Sequence, residues 1–223
     1  MVMNVCDYRL EDDDVKKLLT LLLAALFLMA PVCAMAADIS YETYENEANG
    51  YSIDYPAVWT ILSKENLQST MDALTSGETT IEGMDTSVLE AYKAQIEGLD
   101  MVMFMSADGA VNANINYQAM PMKLTSDLIV SSVYPVVVQQ LQAAFADYAQ
   151  LADPQIEKVG DYEFVLTAGQ YTLSGMPFII MQAYHCTDKN LYTITYTINA
   201  SLNPDMEALD AISDAMLASF EPV

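Results

Sequence analysis

The sequence predicts an α+β domain whose sheet is covered on both faces. Three observations predict it. Strand patterns joined by turn residues occur before residue 62, over 100–119 and over 156–199. The segment Pro177–Cys186 is apolar on both sides, with Phe178, Ile180 and Tyr184 on one and Ile179, Met181 and Ala183 on the other. A strand of that kind belongs in the middle of a sheet sandwiched between two layers. Finally, apolar residues recur at helical spacing over 126–151 and 203–220.

The start of the chain reads as an export signal. Lys16 and Lys17 precede an apolar run from Leu18 to Leu28, interrupted by Thr20 alone, and Ala34-Met35-Ala36 supplies a small-x-small cleavage site. The run is shorter than the ~20 residues of a membrane span, so residues 1–36 are expected to be removed and the mature chain to keep no stable span. Cys33 offers a lipid-anchoring alternative. Pro31 and Val32 before it fit that chemistry less well than Ala34–Ala36 fits ordinary cleavage. Glu11, Asp12, Asp13 and Asp14 put negative charge where a signal wants positive, which marks 1–14 as an upstream mis-start with translation beginning at Val15. Residues 37–223 then form a single domain that works secreted or otherwise outside the cytoplasm, large enough to fold without disulfides. Cys6 and Cys33 leave with the signal. Cys186 therefore has no internal partner and is expected to be buried.

Charge narrows the partners. The chain has 31 acidic and 8 basic residues and a net charge of −23. From residue 37 onward it keeps five lysines and no arginine. Nucleic acid is excluded as a partner, and anionic membrane surfaces with it. A protein or a cell-envelope component remains.

Taken in order, Asn49-Gly50 reads as a two-residue hairpin turn, followed by Tyr51, Ile53 and Tyr55 in alternation. Pro56 interrupts that strand, and Trp59–Leu62 resumes it. Over 65–99 a less regular helical region is expected, with Asp85-Thr86-Ser87 as N-capping oxygens. Met101–Met105, a turn at Ala107-Asp108-Gly109 and a strand with Val111, Ala113, Ile115 and Tyr117 on one side form a hairpin. A long helix is expected from about Ser126 to Leu151, kinked or broken into two helices at Pro135, with Val137, Leu141, Phe145 and Tyr148 as a stripe. Strands follow at Ile156–Val159, Tyr162–Tyr171, Pro177–Cys186 and Leu191–Asn199, with a turn at Ser174-Gly175. Asn203-Pro204 reads as an N-cap and first turn of a closing helix with Leu209, Ile212, Met216 and Phe220 as its buried stripe.

Several of these segments together resemble the PsbP-like and DcrB-like domains of exported bacterial accessory proteins and lipoproteins. Tyr51–Pro56 with Trp59 resembles their strand, Tyr-Pro, Trp entry. Asn114-Ile115-Asn116-Tyr117 is similar to their Asn-rich strand. Leu191–Tyr196 and a helix ending Ser219-Phe220 look like their C-terminal signature. The resemblance covers roughly 39–223. It implies an α/β/α sandwich around a mainly antiparallel central sheet, a structural role for Tyr55, Pro56, Trp59 and Phe220, and an accessory or binding function without catalytic residues.

No enzyme motif competes with that reading. His185 and Cys186 are adjacent on a strand and point to opposite faces, so they make a poor nucleophile pair and His185 is read as structural. Asp85-Thr86-Ser87 has no second copy to complete an aspartic-protease dyad. Nothing calls for a cofactor or a metal: the acidic group Glu42, Glu45, Glu47 and Asp54 lacks loop-site spacing. The candidate binding residues are Asn112, Asn114, Asn116 and Gln118, four amides two apart on one strand face; a solvated or internally bonded face is the alternative. The expected function is a non-enzymatic binding domain of the envelope or exterior. The alternative is an extracytoplasmic hydrolase using a carboxylate pair that no motif identifies.

Overall fold

Alternating strands build two antiparallel sheets in the computed structural model, which describes residues 39–62, 101–173 and 175–222. The readings of the export signal, of Cys33, of Ser174 and of the helical region 65–99 with Asp85-Thr86-Ser87 fall outside the described residues.

A small sheet has the order β1-β2-β10, from β1 (Tyr41–Asn46), β2 (Tyr51–Pro56) and β10 (Glu221–Pro222). A seven-stranded sheet has the order β3-β4-β5-β9-β8-β7-β6. Its strands are β3 (Thr60–Leu62), β4 (Met101–Met105), β5 (Val111–Ala119), β6 (Ala149–Val159), β7 (Tyr162–Leu173), β8 (Met176–Cys186) and β9 (Asn190–Asn199). All neighbouring pairs run antiparallel.

Three expectations are corrected at the level of turns and helix ends. Asn46 pairs with Tyr51, so the first hairpin has the four-residue loop 47–50 rather than a two-residue turn. The Asn46 side chain closes it by accepting from the Asn49 N–H at 3.0 Å, and Gly50 supplies the left-handed φ of 61°. The closing helix α3 (Met206–Ser219) is capped by Asp205, whose carboxylate accepts from the N–H groups of Glu207 and Ala208; Asn203 instead ends a 3-10 turn in a left-handed conformation.

The largest correction concerns Ser126–Leu151. The helical run consists of α1 (Ser126–Leu128), a π-turn (Ile129–Val133) and α2 (Tyr134–Ala144), and it stops seven residues early. Pro135 explains the π-turn. A proline ring clashes with the carbonyl one turn back, and widening the turn so that Tyr134 N–H reaches Ile129 O relieves the clash without breaking the run. Residues 149–159 leave the helix because β7 offers them a ladder from Ala149↔Gln170 to Val159↔Tyr162.

The two faces of the large sheet receive different covers. On one, Phe104, Ala113, Ile115, Phe164, Tyr192 and Ile194 pack against Tyr51, Ile53 and Tyr55 of the small sheet and Ile212, Met216 and Leu217 of α3. On the other, Ile129 meets Val165, Tyr184 and Leu191, while Phe145 and Tyr148 meet Tyr171, Phe178 and Ile180. β8 is thus apolar and covered on both sides. The architecture is an α/β/α sandwich in which one outer layer is α3 together with a small sheet.

Candidate functional site

Small side chains on β6, β7 and β8 leave a space under α3. Ala152, Ala168, Met181 and Tyr196 are successive cross-strand neighbours on one row of the sheet, and Gln155, Leu166, Ala183 and Ile194 form the next. Alanines at 152, 168 and 183 stop short of the helix, so a cleft of about 230 Å³ remains between them and α3. The helix contributes Asp210, Ser213, Asp214 and Leu217, a face at i, i+3, i+4 and i+7 beside its buried stripe. The outer wall is β6, whose register shifts twice between Gln150 and Gln155. Asp153 and Pro154 sit in that irregularity. Pro154 has no N–H for the ladder, and a bulge of this kind redirects side chains at a sheet edge.

The polar inventory of the cleft is one-sided. Asp153, Asp210 and Asp214 are all exposed at its mouth, and no cationic side chain among the described residues lines it. At its floor Tyr196 is 3% exposed and its hydroxyl has no hydrogen-bond partner among the described residues. A buried hydroxyl normally finds one, and leaving it unpaired costs about 1–3 kcal/mol. Burial first, then Asp214 and Tyr41, push its pKa up, so it remains a neutral phenol enclosed in the packing beneath the cleft. Ser213, by contrast, is satisfied: its hydroxyl donates to Asp210 O at 2.9 Å.

The residues singled out from sequence lie elsewhere. Asn112 and Asn114 are half-buried and Asn116 and Gln118 exposed, on the sheet face opposite Tyr196. Asn116 Nδ2 donates to Asn114 Oδ1 at 3.0 Å, so two of the four amides bond each other. The row is flanked by Met103 and Met105 on one strand and by Thr193, Thr195 and Thr197 on the other. A ligand there and a ligand in the cleft would occupy separate sites. Tyr55, Pro56, Trp59 and Phe220 are all buried, with Tyr55, Trp59 and Phe220 in the core under α3.

His185 and Cys186 point to opposite faces. The His185 ring is buried among Tyr162, Phe164, Phe220 and Tyr192, with centroids 5.1–6.4 Å away. Its Nδ1 lies 2.9 Å from the carbonyl of Glu163; a carbonyl only accepts, so Nδ1 carries the proton and donates. Cys186 packs at the edge of the Leu124–Ile129–Val165–Tyr184–Leu191 cluster and is half-buried. Of the acidic group on β1 and β2, Glu42 accepts from Tyr55 Oη at 2.8 Å and Asp54 from Thr43 Oγ1 at 2.6 Å. No three metal-ligating side chains converge among the described residues.

Sequence reasoning missed Tyr196, Asp153, Asp210 and Asp214. The available signal was the Asp-Ser-Asp-Leu face of α3, polar where it adjoins an apolar stripe. What no periodicity shows is that this face overlooks alanines from three strands.

The sequence matches no family model and no curated protein. Its resemblance is to solved structures. Cyanobacterial PsbP from Synechocystis is similar over 86% of this chain and 98% of its own, at 12% identity and a TM-score of 0.54. A crystal structure from Bacteroides thetaiotaomicron matches 81% of this chain at 10% identity and a TM-score of 0.47, and the chain spans about half (48%) of that protein's length. LpqN of Mycobacterium tuberculosis, involved in cell envelope biogenesis, matches 83% of this chain and 93% of its own at 9% identity and a TM-score of 0.42. The likeness to cyanobacterial PsbP shows a shared fold, and function is argued from the site.

Proposed function

We propose that this chain, whose fold is PsbP-like, is a non-catalytic binding domain that works outside the cytoplasm and takes its ligand in the cleft beneath α3. The observation that carries the reading is the cleft itself, about 230 Å³ of space between α3 and the alanines of β6, β7 and β8. Apolar walls from Leu166, Met181 and Leu217 add contact area, and the carboxylates at the mouth select the sign of the ligand's charge. Lys16, Lys17, the apolar run after them and Ala34–Ala36 support the extracytoplasmic setting.

The test is retention of an envelope component on immobilised protein, with Ala152→Trp as the blocked variant. Ala152 is exposed at the mouth, so a bulky ring there covers the entrance without entering the core. Wild type is expected to retain a discrete component and the variant to lose it at an unchanged melting temperature. Equal retention by both would remove the cleft from the reading. Substrate turnover that survives purification and is lost in Ala152→Trp would replace binding with catalysis.

A further inference from the structure

We infer that the solvent face of α2 is a self-association surface. Two copies of this chain pack there antiparallel about a two-fold axis, with Val136 of each opposite Ala143 of the other and Gln139 opposite Gln140. α2 covers the sheet face away from the cleft, so this contact leaves the cleft of each copy open and stands apart from the binding reading above.

Packing decides which residues α2 leaves outside. Val138, Leu141 and Ala144 pack toward Phe145, Tyr148, Tyr171 and Phe178. Val136, Gln139, Gln140 and Ala143 form the opposite stripe at i, i+3, i+4 and i+7; all four are exposed, Val136 by 51%. Charge sets this stripe apart. No charged residue occurs from Leu128 to Ala146, in a chain of net charge −23. α3 shows what a solvated helix face looks like in this protein, because it exposes Glu207, Asp210 and Asp214. Carboxylates of that kind keep a face in water and repel other copies of the same chain. α2 carries none and presents valine, alanine and amides instead.

The stripe is complementary to itself, which makes a second copy its occupant. A glutamine amide both donates and accepts, so Gln139 of one copy and Gln140 of the other satisfy each other across a two-fold axis without any charge. A charged partner has no counter-charge to meet here. Antiparallel alignment reverses the stripe and sets Val136 against Ala143, whose side chain ends at Cβ and leaves room for it. Such a contact is isologous and closes at two copies. α2 has 11 residues and is about 16 Å long. One helix pair of that length is small beside a standard interface of about 1,600 Å², and the acidic remainder of each copy opposes it. The dimer is therefore weak, and salt favours it by screening that repulsion.

Sedimentation equilibrium of the exported protein from about 1 µM to about 1 mM, at low and at high salt, tests the inference. Wild type is expected to pass from monomer to dimer across that range and to associate more tightly as salt rises. Gln140→Glu changes an exposed position, so it should weaken association about tenfold or more at an unchanged melting temperature. Mixing Gln140→Glu with Gln139→Lys should give a mixed dimer tighter than either variant forms alone, because the antiparallel pair sets those two positions opposite each other. Ala152→Trp, on the other face, should dimerise like wild type. A wild type that stays monomeric throughout, a dimer untouched by Gln140→Glu, or no gain on mixing overturns the inference. Loss of the dimer in Ile156→Lys but not in Gln140→Glu would move the contact to the β6 edge, and overturns it as well. If wild type is monomeric and Val136→Glu loses the retained envelope component, the face serves a different protein and the second copy is the wrong occupant.

Discussion

The ring of Tyr148 occupies the space that a side chain at position 169 would need: a β-carbon on Gly169 would lie 2.6 Å from Tyr148 Cε2 and Oη. This contact pins the start of β6 onto β7, opposite the face that carries the cleft. Gly169→Ala should therefore cost about 1–3 kcal/mol by overpacking, read by chemical denaturation. Tyr148→Leu removes the obstructing atoms, so in that background the same substitution should cost markedly less. Additive costs in the double variant would show that the contact does not govern stability.

Trp59 is the sole tryptophan and is 8% exposed, with its backbone N–H donating to Pro56 O at 2.8 Å. It packs in the core shared by the two sheets and α3. Trp59→Ala should cost about 3–5 kcal/mol, the usual range for deleting a large core aromatic. The native emission should be blue-shifted and move red on unfolding. Native emission like that of free tryptophan would contradict the burial.

How much of this was legible depended on how local each determinant is. The hairpin at Ala107–Gly109 and the two-sided strand β8 follow from alternation within ten residues. The end of α2 does not. Leu141, Phe145 and Tyr148 keep helical spacing, and all three pack in one cluster, yet Phe145 is already extended. The chain turns there because Asp147 accepts from Thr172 N–H at 3.1 Å and Tyr148 settles on Gly169, partners more than twenty residues away. The amide row on β5 stood out because it is a repeat along one strand. The cleft did not, because its rim and floor combine Ala152, Ala168, Ala183 and Tyr196 from four strands, a set assembled only by register.

Buried phenols set the alkaline limit of stability. Burial is the first cause that raises the pKa of Tyr171, to about 12, and it raises those of Tyr134, Tyr184 and Tyr196 as well. The unfolded chain ionises these groups near pH 10. Above that pH the folded state holds more protons than the unfolded one, so stability falls with rising pH, by about 1.4 kcal/mol per unit for each group that stays neutral. Below pH 10 both states are neutral and the contribution is fully present. Unfolding followed at 295 nm should thus show tyrosinate appearing in step with loss of circular dichroism. Gradual ionisation of all tyrosines in a still-folded protein would contradict the burial.

Cys186 distinguishes a packing role from a chemical one for the His–Cys dipeptide. Burial first, then Glu163, raises the thiol's pKa, and Lys123 opposes them. The turn between β8 and β9 brings Asp188 to Lys123, with Nζ and Oδ1 2.5 Å apart, and the cation stands close enough to act on the thiol. The upward causes win, so the thiolate is scarce at neutral pH and His185, on the other face, does nothing to restore it. The folded protein should react slowly with a thiol reagent at pH 7 and rapidly once denatured. Lys123→Gln should slow native labelling further, because it removes a group that favours the thiolate. Cys186→Ala should cost little, and Cys186→Ser about 1–3 kcal/mol, because the hydroxyl enters an apolar cluster without a partner. Rapid stoichiometric labelling of the native protein would show a thiol held in an activated state, and Cys186 would then join Tyr196 as a group whose chemistry the packing alone does not explain.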